Sequence, residues 1–388
     1  EQSRLPDPTI SIGLQNLGMD NWDFGSEPMT QMKASVSQRF PPGKTLSLSK
    51  KKFDTASEEQ QFYKAARRAQ LRKIVGALWL ELYFTTNAIR LIQDNRPLFE
   101  QLADIAQASY SSALGRTRQQ DIIRAQLQLS QLDDRSSQLA IRQARATEKL
   151  REFIGAAFSV EAGPNPRGRV ITPDIKLPSL SPSAAVMSVS GADEQHLATQ
   201  LMQHPLLQGL EARITQAQLE IEIARQGYKP AWGVNAGYGY RGDDAAGRDR
   251  SDLLSVGVSV SMPLFNSRRQ DSGVSAAISR RSALLTRRTH LLRQFAAEYE
   301  AGEKQLTLLV ARQTLYEDQL LSQIHEQAEA TLTAYTNDDG DFAEVVRARI
   351  AELDAQIEVM SINIERLNTI LGINYLFSKV ESQQESAQ

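Results

Sequence analysis

The 388-residue sequence predicts an α+β chain built as a two-fold internal repeat, each copy a pair of two-faced β-strands followed by long helices. Three observations predict it. A proline-and-strand motif occurs twice, four short runs alternate apolar with small polar residues, and the stretches between them carry heptad spacing.

The first strand opens after Leu5-Pro6-Asp7-Pro8 as Thr9-Ile10-Ser11-Ile12-Gly13-Leu14, and about 220 residues later Tyr228-Lys229-Pro230 leads into Trp232-Gly233-Val234-Asn235-Ala236-Gly237. Each is followed by a second alternating run that ends in proline, Val36-Ser37-Gln38-Arg39-Phe40-Pro41 and Val258-Ser259-Val260-Ser261-Met262-Pro263. Further on, each copy places a tyrosine and a glycine just before a hydrophobic pair and Arg-Ala: Tyr110, Gly115 and Ile122-Ile123-Arg124-Ala125, then Tyr335, Gly340 and Val345-Val346-Arg347-Ala348. Residues 1–154 form the first copy and 193–372 the second. A Pro/Ser/Gly-rich connector, 155–192, joins them, and 373–388 form a polar tail. The second copy has a helix before its first strand, striped with Leu206, Leu210, Ile214, Ala217, Ile221 and Ala224, that the first copy lacks; the asymmetry predicts that residues precede Glu1.

The alternation defines strands with two different faces. Leu254, Val256, Val258, Val260 and Met262 alternate with Ser255, Gly257, Ser259 and Ser261, and Trp232 to Tyr240 alternate with glycine and asparagine. Ile10, Ile12 and Leu14, then Met32, Ala34, Val36 and Phe40, repeat the pattern in the first copy. Strands of about 9–11 residues cross a bilayer when tilted. Trp22, Phe24, Phe40, Trp232, Tyr238, Tyr240 and Phe265 cluster near the strand ends, where an interfacial aromatic girdle would lie. The competing reading is a soluble sandwich, for which four strands are too few beside so much helix. They are also too few to close a barrel alone, so the membrane reading requires several chains to share one.

The last helix carries Val346, Ile350, Leu353, Ile357, Met360, Ile364, Leu367 and Leu371 at four-three spacing. Its counterpart carries Ala125, Leu129, Leu132, Leu139, Ala146, Leu150 and Phe153. The preceding helices have similar stripes, from Leu71 to Phe99 and from Leu285 to Leu320, and about 60 residues of helix span roughly 90 Å. Pro97 is expected to kink or split the first of these. Heptads alone are equally compatible with an antiparallel coiled-coil scaffold.

Composition removes several function classes. The charges nearly balance, 44 Lys+Arg against 46 Asp+Glu, which gives no support to nucleic acid as a partner. No apolar stretch approaches the roughly 20 residues of a membrane-spanning helix. The absence of cysteine excludes disulfides, thiolate metal sites and cysteine nucleophiles. His196, His204, His290 and His325 lack ligand spacing, and there is no phosphate-binding glycine loop or nucleophile elbow. The expectation is a protein that is not an enzyme and has no metal site or cofactor.

Taken together, these features resemble the TolC family of trimeric outer-membrane channel proteins over nearly the whole chain. Leu5-Pro6-Asp7-Pro8, Gly13-Leu14-Gln15-Asn16-Leu17 and Pro28-Met29-Thr30-Gln31 look most like the branch that serves heavy-metal cation efflux pumps of the RND type. The resemblance implies a homotrimer, about 12 strands in one transmembrane β-barrel with four strands from each chain, and a long periplasmic coiled-coil barrel continuous with it. It implies a Gram-negative outer membrane as the location, with surrounding lipid, a periplasmic membrane-fusion adaptor and an inner-membrane RND pump as partners. The function implied is an exit duct for heavy-metal cations. A drug-efflux or type I secretion channel is the alternative, and a soluble periplasmic scaffold the alternative of another class.

In that family, acidic residues and polar links near the helix tips set the periplasmic aperture. Carried over by position, the acidic residues are Asp121 and Glu344, and Tyr335 matches the linking tyrosine, with Asp121 as its expected hydrogen-bond partner. The linking arginine falls on tip glycine Gly340, the counterpart of Gly115, and the second acidic position falls on Arg347. The resemblance therefore leaves the links to Arg116 or Arg118 with Asp338, Asp339 or Asp341. Asn337-Asp338-Asp339-Gly340 is equally suited to plain turn and capping chemistry.

Overall fold

The computed structural model describes residues 4–20, 22–111, 119–154, 177–187, 194–244, 246–262, 267–337 and 340–380. Gly115, Arg116, Arg118, Phe265, Asp338, Asp339 and most of the connector lie outside them. The chain divides into two compact units, Glu1–Lys64 with Pro205–Leu291, and Ala65–His204 with Leu292–Gln388. Each unit takes a part of each sequence repeat.

The first unit holds a four-stranded antiparallel sheet in the order β1 (Thr9–Gln15), β2 (Gln31–Phe40), β3 (Ala231–Tyr240), β4 (Leu253–Ser261). β2 and β3 are neighbours although they belong to different repeats. β1 has 7 residues, short of the expected length. It stops where Asn16 adopts a positive φ of 58° and its side-chain amide donates to the Met29 carbonyl at 3.1 Å, which closes the loop to β2. At the other end of β2, Gly43 turns the chain at φ 54°. A Cβ there would lie 2.5 Å from Gln226 Oε1, the atom that accepts the Lys44 backbone N–H at 3.1 Å, so only glycine fits. The same unit contains α5 (Pro205–Gln226), whose buried side carries the expected Leu210, Ile214, Ala217 and Ile221. Buried Glu59 accepts from Arg213 at 3.1 Å on this helix, so its charge is matched.

Two long helices begin in the first unit and continue into the second. α1 (Thr45–Ser111) has 67 residues and is continuous through Pro97, so the expected split does not occur. Contacts within α1 and to α2 offset the missing N–H. Arg96 pairs with Glu100 at 2.9 Å and with Asp133 on α2 (Gln119–Ile154), while Ile92 and Phe99 are buried on either side. After the short helices α3 (Ala184–Met187) and α4 (Glu194–Leu201), the other long stretch consists of α6 (Arg268–Leu315), a π-helical turn (Tyr316–Leu320) and α7 (Leu321–Thr336). Leu309, Tyr316 and Leu320 keep heptad spacing across that turn, so nothing in the pattern marks it. α8 (Phe342–Leu376) runs beyond the repeat boundary, and Leu376 and Phe377 are buried.

The second unit is held by the stripes predicted for α2 and α8, whereas α1 brings Leu80, Phe84 and Ala88 to this core beside the predicted Ile92 and Phe99, and Leu82 packs with Ala146 and Leu150 in a separate cluster. Leu80, Phe84, Ala88, Ile92 and Phe99 of α1 meet Leu132 and Leu139 of α2 and Leu353, Ile357, Ile364 and Leu367 of α8 in one cluster. Met360 packs against it as an ordinary apolar side chain. The described end of the connector joins this core through Leu177 and Leu180, and Asn374 fastens it by accepting from the Ser183 N–H at 2.8 Å and donating to the Ser181 carbonyl at 3.0 Å.

Candidate functional site

Two features are arranged for function, the sheet in one unit and the helix tips in the other. Cross-strand register places Ile10, Val36, Ala236 and Val256 in one row and Ile12, Ala34, Tyr238 and Leu254 in the next, so the apolar positions of all four strands share a face. That face is open: Ile12 is 75% exposed and Leu254 78%. A contiguous apolar surface of this kind is unstable in water and needs an apolar medium or partner. Phe40 and Trp232 pair at one end of it, and Tyr240, stacked on Phe24 at 6.5 Å, stands at the other. The two aromatic rows on β3, at Trp232 and Tyr240, are about 26 Å apart along the strand before tilt, comparable to an apolar band of about 25 Å. Gln38 alone interrupts the face, and it donates to the carbonyls of Pro6 and Arg39 at 2.8 and 3.0 Å.

The opposite face is small and polar. Ser11 and Ser35 hydrogen-bond across it at 2.7 Å. Longer side chains lie flat over glycine. A Cβ on Gly237 would meet Lys33 Cε at 2.9 Å, one on Gly239 would meet Gln31 Oε1 at 1.9 Å, and one on Gly257 would meet Asn235 Oδ1 at 2.9 Å. The loops at one end of the sheet are tied together by Arg250, which donates to the carbonyls of Gly25 and Glu27 at 2.7 and 3.0 Å. Asp244 accepts from the backbone N–H groups of Arg248 and Ala246, and these bonds hold its carboxyl below the usual carboxylate range.

At the tips, Leu102 and Ala106 of α1, Ala125 of α2 and Phe342, Val345 and Val346 of α8 form one cluster. The Tyr335 ring packs on it edge-to-face with Phe342 at 5.6 Å. Asp121 lies in the first turn of α2, favourable for a carboxylate, and is only 5% exposed, with Arg124 at 3.6 Å. Glu344 instead points outward, its side chain 61% exposed, near Arg347 at 3.9 Å. The two acidic residues expected to act alike therefore sit in different environments. Asp341 caps α8, accepting the Ala343 N–H at 3.2 Å, which is the capping role of an aspartate at a helix start. Gly340 is required by close approach: a Cβ there would lie 2.7 Å from the Tyr335 backbone nitrogen.

One constellation was not visible in the sequence. Arg349 on α8 is 8% exposed and donates to Glu329 on α7 at 2.6 Å and to Glu352 at 2.8 Å, and Glu352 bonds His325 Nδ1 at 2.6 Å. Burial alone would raise the Glu352 carboxyl, but hydrogen bonds from His325 and Arg349 outweigh it and lower it below its ordinary value. The only hint was a charge beside the heptad position Ile350. Among the described residues, no group of three or more His, Cys, Asp or Glu is placed to hold a metal ion, and no helix is long and apolar enough to cross a membrane.

This architecture is the fold of outer-membrane channel proteins, as the resemblance to the TolC family led one to expect. Crystal structures of CusC match with a TM-score of 0.73 at 13% identity, covering 97% of this chain and 83% of that one. The Campylobacter jejuni outer membrane channel CmeC matches at 0.74 and 12%, covering 98% and 79%, and the Vibrio cholerae outer membrane protein VceC at 0.74 and 14%, covering 98% and 88%. No family model and no curated protein matches the sequence.

Proposed function

We propose that the chain is one protomer of a trimeric outer-membrane exit duct in a tripartite efflux system, and that it is a conduit rather than an enzyme. The observation that carries this reading is the sheet: one face apolar and exposed, the other small and polar, and both edges open. The order β1-β2-β3-β4 is antiparallel throughout, so β1 and β4 run in opposite directions, and β4 of one copy can pair antiparallel with β1 of the next until the barrel closes. Exposed Ile123, Leu127, Ile141 and Leu308 on the helices give neighbouring protomers apolar surface to bury. In this reading the helices lie in the periplasm and their tips form the gate around Glu344, Asp121 and Tyr335. A membrane-fusion adaptor docks there and an RND pump supplies energy.

For cargo, the likeness of the first strand pair to the heavy-metal branch favours metal cations, and the fold is shared with channels beyond CusC. Detergent-dependent purification and a trimer on a sizing column test the assembly; a monomer that is soluble without detergent supports the scaffold alternative. Sensitivity of a deletion strain to metal salts supports the cation cargo, and sensitivity to organic toxins alone supports the drug-efflux alternative.

A further inference from the structure

The polar face of the sheet carries charge of one sign. The four strands contain no Asp or Glu, and their only charged residues are Lys33 and Arg39, both on β2. Lys33 stands opposite Gly13 and Gly239, and Arg39 opposite Gly233, which puts both on the small-residue face. Arg39 is exposed, Lys33 half-buried over Gly237, and among the described residues no carboxylate pairs with either. At the Lys33 end of the sheet, two loop carboxylates are engaged elsewhere. Asp252 accepts from the Arg241 N–H and the Tyr238 hydroxyl, and Asp244 from Arg248.

We propose that this face is an anion-preferring passage, with Lys33 and Arg39 as the residues that set its selectivity, a preference that counts against the metal-cation cargo favoured above and for the drug-efflux alternative. The proposal rests on reading the sheet as part of a water-filled barrel; it does not rest on the cargo. The physical basis is direct. A unit charge about 10 Å away through water changes the local concentration of a monovalent ion about twofold, and closed symmetry repeats each charge around the lumen. Screening at high salt weakens the effect. The glycines beneath Lys33, Gln31 and Asn235 let these longer side chains lie flat against the sheet instead of projecting from it.

The test is the reversal potential of the full-length protein in planar lipid bilayers under a KCl gradient, measured in a Glu344→Gln background so that acid at the tips does not set the sign. The expected result at about 0.1 M salt, where screening cuts each charge's effect roughly e-fold but every substitution removes one charge per protomer, is a chloride preference that falls about twofold for Lys33→Gln or Arg39→Gln alone and about fourfold for both, with a smaller change at 1 M salt. Because the chain has no cysteine, Lys33→Cys gives a single thiol that is modified after folding. A sulfonate-bearing reagent should then lower the chloride preference and a quaternary ammonium reagent should restore it. A cation preference in the Glu344→Gln channel, or a chloride preference unmoved by both neutralisation and modification, overturns the proposal while leaving the channel reading intact. No current from any version removes the channel reading itself, and this proposal with it.

Discussion

The Arg349 guanidinium on α8 donates to the Glu329 carboxylate on α7 at 2.6 Å and is itself 8% exposed. It fixes the two helices that flank the second tip. Because both partners are carboxylates and Glu352 is only 16% exposed, removing the cation leaves negative charge uncompensated in a half-buried site. Arg349→Ala should lower the stability of the folded protein by about 2 kcal/mol, below the full buried-pair cost because Glu329 reaches water. Removing both charges in Arg349→Met with Glu329→Gln should recover part of that loss, which a thermal-unfolding double-mutant cycle measures.

His325 gives the same network a pH dependence. Its hydrogen bond to Glu352 raises the imidazole above its ordinary value, helped by the charges of Glu352 and Glu329 and opposed by burial and Arg349. The interaction therefore stabilises the fold fully below the unfolded value of about 6.5 and is lost as pH rises through the folded value. The thermal midpoint of the wild type should fall on that alkaline side more than that of His325→Gln; identical pH profiles would remove the interaction from the account.

His204 works in the opposite direction. It is fully buried between Phe295 and Tyr375, with ring centroids at 4.8 and 5.0 Å, and burial lowers its imidazole to about 4 while a hydrogen bond to the Tyr375 backbone partly opposes this. The unfolded chain takes up a proton near pH 6.5 that the folded chain refuses until about 4, so stability is lost as pH falls, by about 3 kcal/mol across that interval. His204→Phe should flatten the acid limb of the stability profile, as followed by unfolding between pH 7 and 4.5.

The two acidic tip residues should separate experimentally. Glu344 presents its charge to water, so Glu344→Ala should change single-channel conductance and cation selectivity; Asp121 is buried in the first turn of α2, so Asp121→Ala should mainly reduce stability. Equal effects on conductance would place both at the constriction.

The sheet was legible because its two faces differ at every second position, and the register observed for Leu254, Val256 and Val258 is the one that period-2 alternation demands. The heptads of α2 and α8 were legible from their roughly 3.5-residue spacing, but on α1 Leu80, Phe84 and Ala88 joined the core outside the stripe read there. Pro97 does not split α1, because local propensity yields to packing, here Arg96 on Asp133 with Ile92 and Phe99 in the core. Gly340 could be identified as a tip glycine, but its cause, the backbone of Tyr335 2.7 Å from a Cβ position, requires coordinates. Arg349 was missed because a charge at a buried position has no period; only its partners on another helix make it tolerable.

The central claim is that one face of the sheet meets lipid and the other water. It is tested most directly by placing single cysteines, in a chain that has none, at Leu254, Ser255, Val256, Gly257, Val258 and Ser259 of β4 in the reconstituted protein. The account predicts strict alternation: labels at 255, 257 and 259 react with a charged water-soluble thiol reagent, and labels at 254, 256 and 258 are quenched by a lipid-phase spin probe. Uniform reactivity with the water-soluble reagent along the strand, without lipid quenching at any position, would contradict it.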